Sequence, residues 1–143
     1  MKRIFILLLS VLGICGAYAR QSGERAREGQ LMLADPFILE DDGWFYIYGT
    51  HADDGIVVYR SRDLKRWSGR CGNAANGLAL HKDDVWGEKW FWAPEVYRIG
   101  DRYIMTYSAE EHICYAESDS PCGPFVQSEK RPYLDEKGID SSI

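Results

Sequence analysis

Histidine and cysteine are scarce in this chain, three and four residues in 143, and no His joins the cysteines at the spacing that zinc ligands need. A metal centre is therefore not expected from the sequence. Basic residues are the minority as well: 17 Lys and Arg stand against 22 Asp and Glu, a net charge of −5. A surface of that sign argues against nucleic acid and anionic membranes as partners. Beyond the N-terminal segment, no apolar run is long enough to span a bilayer. Nor does any stretch there repeat its apolar residues at the period of an amphipathic helix. Helical and membrane-embedded architectures are set aside together.

The N-terminus carries an export signal. Lys2 and Arg3 form a basic start, Ile4 to Ile14 a mostly apolar core, and Ala17-Tyr18-Ala19 a small-x-small cleavage site. Residues 1–19 are read as a secretory signal peptide cleaved after Ala19, so the product is expected in the periplasm or outside the cell. Ile14 stands where a lipidated cysteine would need a small residue before it, so Cys15 is not expected to carry an anchor. Residues 20–30, RQSGERAREGQ, are polar and charged, as in a flexible lead-in. Cleavage leaves Cys71, Cys114 and Cys122. An odd count leaves at least one thiol unpaired in an oxidising compartment, and the sequence does not choose the pair.

From Leu31 the pattern changes. WFYIYGT, GIVVYRS, WAPEVYRI, RYIMTYSA and HICYAES are short runs rich in aromatic and β-branched residues, which read as strands. DDG, ADDG, IGD and SPCGP between them read as turns. There is also an internal echo: residues Trp44 to Thr50 align with Arg102 to Ser108, each after a Gly/Asp turn and each leading through a second turn into another strand. The repeat is about 57 residues, near the length of propeller blades, with two unrelated hairpins of a β-sandwich as the other reading of the same spacing. Propellers usually close with four to eight blades, and this chain holds only about two at that period. Residues 31–143 are accordingly expected to be the N-terminal part of a larger all-β propeller: about the first two blades and the start of the next.

Several residues stand out chemically. LADPFIL places one carboxylate, Asp35, in an apolar run beside Pro36, which suits a strand start or edge. A strand-edge turn cap explains it; so does a base sheltered from water by its apolar neighbours. Asp140 precedes Ser141 and Ser142, a common Asx-turn arrangement. KWFWAPEV gathers Trp90, Phe91 and Trp92, and aromatic rings suit the C–H faces of sugars. In SRDLKRW, Ser61 and Asp63 read as turn caps and Trp67 as packed inward. His51 and His112 read as ordinary polar residues, with His112 near enough to the strand ends to border a cavity.

Taken in order, LADPFILEDDGWFYIYGT, YRSRDLKRW, WAPEVYRIGDRYIMTYSA, YAESDSPCGPF and GIDSSI resemble the N-terminal half of glycoside hydrolase family 43, five-bladed β-propeller enzymes. The resemblance covers nearly all of Leu31 to Ile143 and implies specific roles. Asp35 would be the general base that takes a proton from the attacking water. Asp140 would raise the pKa of the general acid and help orient it. The acid itself would be a glutamate of a later blade, beyond Ile143. Glu95 matches a different motif and is expected behind the cavity as a satisfied polar group. Trp92 and Ala93 would line the subsite of the scissile sugar, with Phe37 as a further wall residue. The implied reaction is inverting hydrolysis of arabinose- or xylose-containing glycans, with no cofactor required. Some family members hold an axial calcium ion, whose ligands nothing in this half of the sequence identifies. The competing class is a non-catalytic carbohydrate-binding propeller, distinguished by the lack of an acid downstream.

Overall fold

A computed structural model describes residues 31–142 of the protein. The expected signal peptide with Cys15, the expected lead-in and Ile143 lie outside the described residues. Strands β1 (Ala34–Asp41), β2 (Trp44–Ala52), β3 (Gly55–Ser61) and β4 (Leu78–His81) form one sheet in the order β1-β2-β3-β4. Strands β5 (Trp92–Ile99), β6 (Arg102–Ala109) and β7 (His112–Ser118) form a second, in the order β5-β6-β7. Every pairing is antiparallel and joins sequence neighbours, as two meanders built on one plan. Among the described residues, no helix is long and apolar enough to cross a membrane.

The five strand-like runs became β2, β3, β5, β6 and β7, and the ADP segment opens β1. The first hairpin turns on Asp42-Gly43, with φ of 47° and 69°. Two positive φ values in a two-residue loop match the twist of antiparallel strands, and Asp-Gly tolerates them. Strand β4 was not anticipated. It has four residues, all buried, between two single-turn 3-10 helices. So short a run has no periodicity to read. What makes it a strand is pairing with β3, Gly55 opposite His81 and Ile56 opposite Leu80.

The β3–β4 connection folds as the sequence suggested. Ser61 Oγ accepts the Leu64 N–H at 2.9 Å, and Asp63 Oδ1 accepts those of Lys65 and Arg66 at 3.0 and 2.9 Å. These backbone donors, with the Arg66 guanidinium, hold the Asp63 carboxyl well below the usual carboxylate range. Trp67 is buried behind the turn.

The core lies between the sheets. Its largest fully buried side chains include Tyr48, Tyr107, Phe91 and Phe125. Phe125 belongs to a strap that leaves β7 and crosses back onto the first sheet. Its N–H donates to Ala79 O at 2.9 Å, and its ring meets Tyr48 edge-on at 6.4 Å. The Tyr48 hydroxyl donates to Pro121 O at 2.6 Å. Gly123 makes this approach feasible: at φ 77°, a Cβ there would stand 2.1 Å from Ala79 O. The strap thus fastens the tail of one sheet to the outer strand of the other.

Phe125→Ala in the full-length protein should cost about 3–5 kcal/mol, by lost transfer energy and an unfilled cavity. Urea unfolding measures this. A loss under about 1 kcal/mol would show that the strap is not part of the core.

Candidate active site

The two innermost strands, β1 and β5, lie side by side. The Phe37 and Tyr97 rings pack at 5.4 Å midway along them. At one end, Asp41 accepts Arg98 at 2.8 Å and the Tyr103 hydroxyl at 2.7 Å. Burial, together with the carboxylate beside it, pushes the Tyr103 phenol up to about 12.

At the other end both strands break register in the same way. Ala34 pairs with Thr50 and then Phe37 with Tyr48; Trp92 pairs with Ser108 and then Glu95 with Thr106. In each case three steps on the inner strand match two on its partner, a bulge of one residue. A proline sits inside each bulge, Pro36 and Pro94, where the missing N–H suits a broken ladder. The residue before each proline is left-handed, Asp35 at φ 47° and Ala93 at φ 46°. Asp140 repeats the conformation at φ 58°. Each non-glycine residue held there costs on the order of 1–2 kcal/mol, so surrounding contacts must hold it.

Two hydroxyls supply such contacts. The Ala93 N–H donates to Thr50 Oγ1 at 3.1 Å, and the Asp140 N–H donates to Ser108 Oγ at 3.2 Å. Thr50 and Ser108 occupy the same place in their sheets, at the end of the second strand. Thr50 Oγ1 also lies 3.5 Å from Asp35 Oδ2, the outer limit of a hydrogen bond. The Asp140 segment is held further by Thr106 Oγ1 donating to Ser141 O at 3.2 Å and by the Gly138 N–H donating to Glu111 O at 2.8 Å.

These heads of strands enclose a cavity of about 250 Å³, walled by Asp35, Phe37, Ala93, Glu95, Asp140 and Ser141 among others. Four of the five residues expected at the site therefore meet in one place. The fifth, Trp92, is not in that wall. It stacks on Trp90 at 5.7 Å with an 18° tilt, next to Ala93 in the chain. Glu95 departs from its expected place behind the cavity: it lines the wall, and its Oε2 accepts the Tyr97 hydroxyl at 2.5 Å. The bulge accounts for this, since it adds a residue before Glu95 and resets which side chains face inward.

Asp35 also departs from expectation. Its apolar neighbours do not shelter it; Asp35, Pro36 and Ile38 are all exposed. Alternation along β1 turns Phe37 and Leu39 toward the fold, and the bulge presents Asp35 to the open cavity instead. His112 does not border the cavity, for its ring packs edge-on against Trp86 at 5.2 Å. Among the described residues, no three His, Cys, Asp or Glu side chains converge as metal ligands.

The sequence profile of the Glycosyl hydrolases family 43 matches residues 29–143. The chain belongs to this family. Solved structures agree in fold. An endo-1,4-beta-xylanase from Bacteroides thetaiotaomicron is 38% identical with a TM-score of 0.68, over 85% of this chain and 40% of that one. An endo-arabinase from the same organism is 31% identical with a TM-score of 0.55, over 82% and 39%. The GH43_1 enzyme from Xanthomonas citri, solved with xylose, is 28% identical with a TM-score of 0.62, over 76% and 35%. This chain thus spans about 40% or less of the length of these family-43 structures. No curated protein matches it. As in other family-43 proteins, the two sheets are propeller blades, and β1 and β5 are their inner strands.

Thr50 and Ser108 were not singled out from the sequence as site residues. The signal was present, because they close the two copies of the internal echo. The structure predicts that Thr50→Val in the full-length protein lowers stability by about 1 kcal/mol, the worth of the lost hydrogen bond. Thr50→Ser should restore it, since serine does the same work at position 108. Equal losses for both variants in urea unfolding would contradict the clamp.

Proposed function

We propose that the full-length protein is an exported inverting glycosidase acting on arabinose- or xylose-containing glycans, and that the cavity at the heads of β1 and β5 is part of its active site. The observation that carries this reading is the meeting of Asp35 and Asp140 on one wall, each in a left-handed conformation, in a family-43 chain. The xylanase, arabinase and xylose-bound relatives support the substrate class. The basic start, apolar core and Ala17-Tyr18-Ala19 support export.

In the proposed reaction, a water lies between Asp35 and the anomeric carbon. Asp35 takes a proton from it as the oxygen attacks, and the glycosidic bond breaks on the opposite face of the sugar. A separate carboxylic acid gives its proton to the departing oxygen. That acid comes from another part of the propeller. Asp140, ionised nearby, opposes a second negative charge and so keeps the acid protonated. Glu95 accepts a hydrogen bond from Tyr97; its role is to shape the wall and accept sugar hydroxyls. The exposure of Asp35 in the described residues leaves room for the water it must bind. Phe37 offers one ring at the cavity.

The test is Asp35→Asn in the full-length protein, assayed on xylo- and arabino-oligosaccharides. The amide keeps the shape and removes the base. Turnover should fall by about 10²–10⁴-fold with the unfolding midpoint nearly unchanged. Near-normal turnover would refute Asp35 as base. An intact protein that binds these sugars without hydrolysing them would favour a carbohydrate-binding propeller instead.

A further inference from the structure

Cys71 and Cys122 are far apart in sequence but close in space, with sulfurs 3.8 Å apart. Neither position is accidental. The Cys71 N–H donates to Val58 O at 3.0 Å, which holds the β3–β4 connection along β3. Cys122 lies in the strap after β7. Its carbonyl accepts the Asn73 N–H at 2.9 Å, and Asn73 Nδ2 donates to Gly123 O at 2.7 Å. Two backbone segments are thus fastened together on either side of the two sulfurs. Cys114, by contrast, is fully buried in β7, where its sulfur lies 3.6 Å from the His112 carbonyl oxygen.

We infer that Cys71 and Cys122 form a covalent cross-link between the two blades in the exported protein, with Cys114 as the thiol left over. The choice that the sequence leaves open is made by proximity. Closing the bond requires the sulfurs to move from 3.8 Å to about 2 Å, within reach of side-chain rotation. The chemistry of the pair favours the step. The Cys71 thiol beside it lowers the pKa of Cys122, while that same contact and burial push Cys71 up. Cys122 is thus the sulfur that is first ionised.

The reaction balances through a disulfide oxidant, either a thiol–disulfide exchange protein of the export compartment or oxidised glutathione. The Cys122 thiolate attacks one sulfur of the oxidant, whose other sulfur leaves as a thiolate. Cys71 then loses its proton and attacks the Cys122 sulfur, displacing the second thiolate. The two cysteines lose two electrons and two protons in total, and the oxidant becomes two thiols. The product closes a loop that contains β4 to β7. It would lock the outer edge of the first blade to the strap that already crosses it, restricting the unfolded chain more than the folded one.

The experiment uses full-length protein, equilibrated with a mixture of oxidised and reduced glutathione. It is then denatured in an alkylating reagent, digested and analysed by mass spectrometry. The expected result is one cross-linked peptide pair carrying Cys71 and Cys122, lighter by two hydrogens than its parts, with Cys114 fully alkylated. Cys114→Ala should leave that pair intact, and Cys71→Ser should leave Cys122 alkylated. The inference is overturned if Cys71 and Cys122 are both alkylated after oxidation, or if Cys114 appears in the cross-link. No glycosidase activity enters the readout, so the outcome is independent of the proposed function.

Discussion

A proline at the third position of each inner strand forbids a continuous ladder there. Pro36 and Pro94 cannot donate, so β1 and β5 break register with their partners at that point. Each break adds one residue and turns the preceding residue left-handed. The Ala93 N–H, freed from the sheet by the break in β5, finds its acceptor in the Thr50 hydroxyl of the neighbouring sheet, and the Asp140 N–H is held in the same way by the Ser108 hydroxyl. The two breaks carry Asp35 and Ala93 to the cavity, and the hydroxyls at the ends of β2 and β6 hold Ala93 and Asp140 there.

That constraint explains why the site is strained and yet built from ordinary strands. Three non-glycine residues with positive φ around one cavity would each be costly in isolation. They persist because their neighbours hold them. The Phe37–Tyr97 pair and the Asp41–Arg98–Tyr103 cluster fix the inner strands along their length. The Phe125 strap fastens the two sheets together through the core.

Much of this was legible in the sequence, for identifiable reasons. Five strands announced themselves because aromatic and β-branched residues crowd into short runs between Gly/Asp turns. The Asp42-Gly43 turn was readable from turn chemistry alone. Strand β4 was not, since four buried residues carry no period and depend on β3 to be a strand. The convergence of Asp35, Phe37, Ala93 and Asp140 followed from ordered motifs, but the inward turn of Glu95 did not. It depends on a bulge, which no alternation pattern encodes. Shelter for Asp35 was inferred from apolar neighbours in sequence, while burial is decided by neighbours in space. The proximity of Cys71 and Cys122 depends likewise on the strap's path back across the first sheet.

The central claim is that Asp35 delivers a water to one face of the sugar while the bond breaks on the other. The most direct measurement is the anomeric configuration of the first-formed product, followed by proton NMR as the full-length protein hydrolyses a xylo- or arabino-oligosaccharide. The account predicts inversion, with the opposite anomer appearing first and then mutarotating. Retention would mean a covalent sugar–enzyme intermediate, and would contradict the role given to Asp35.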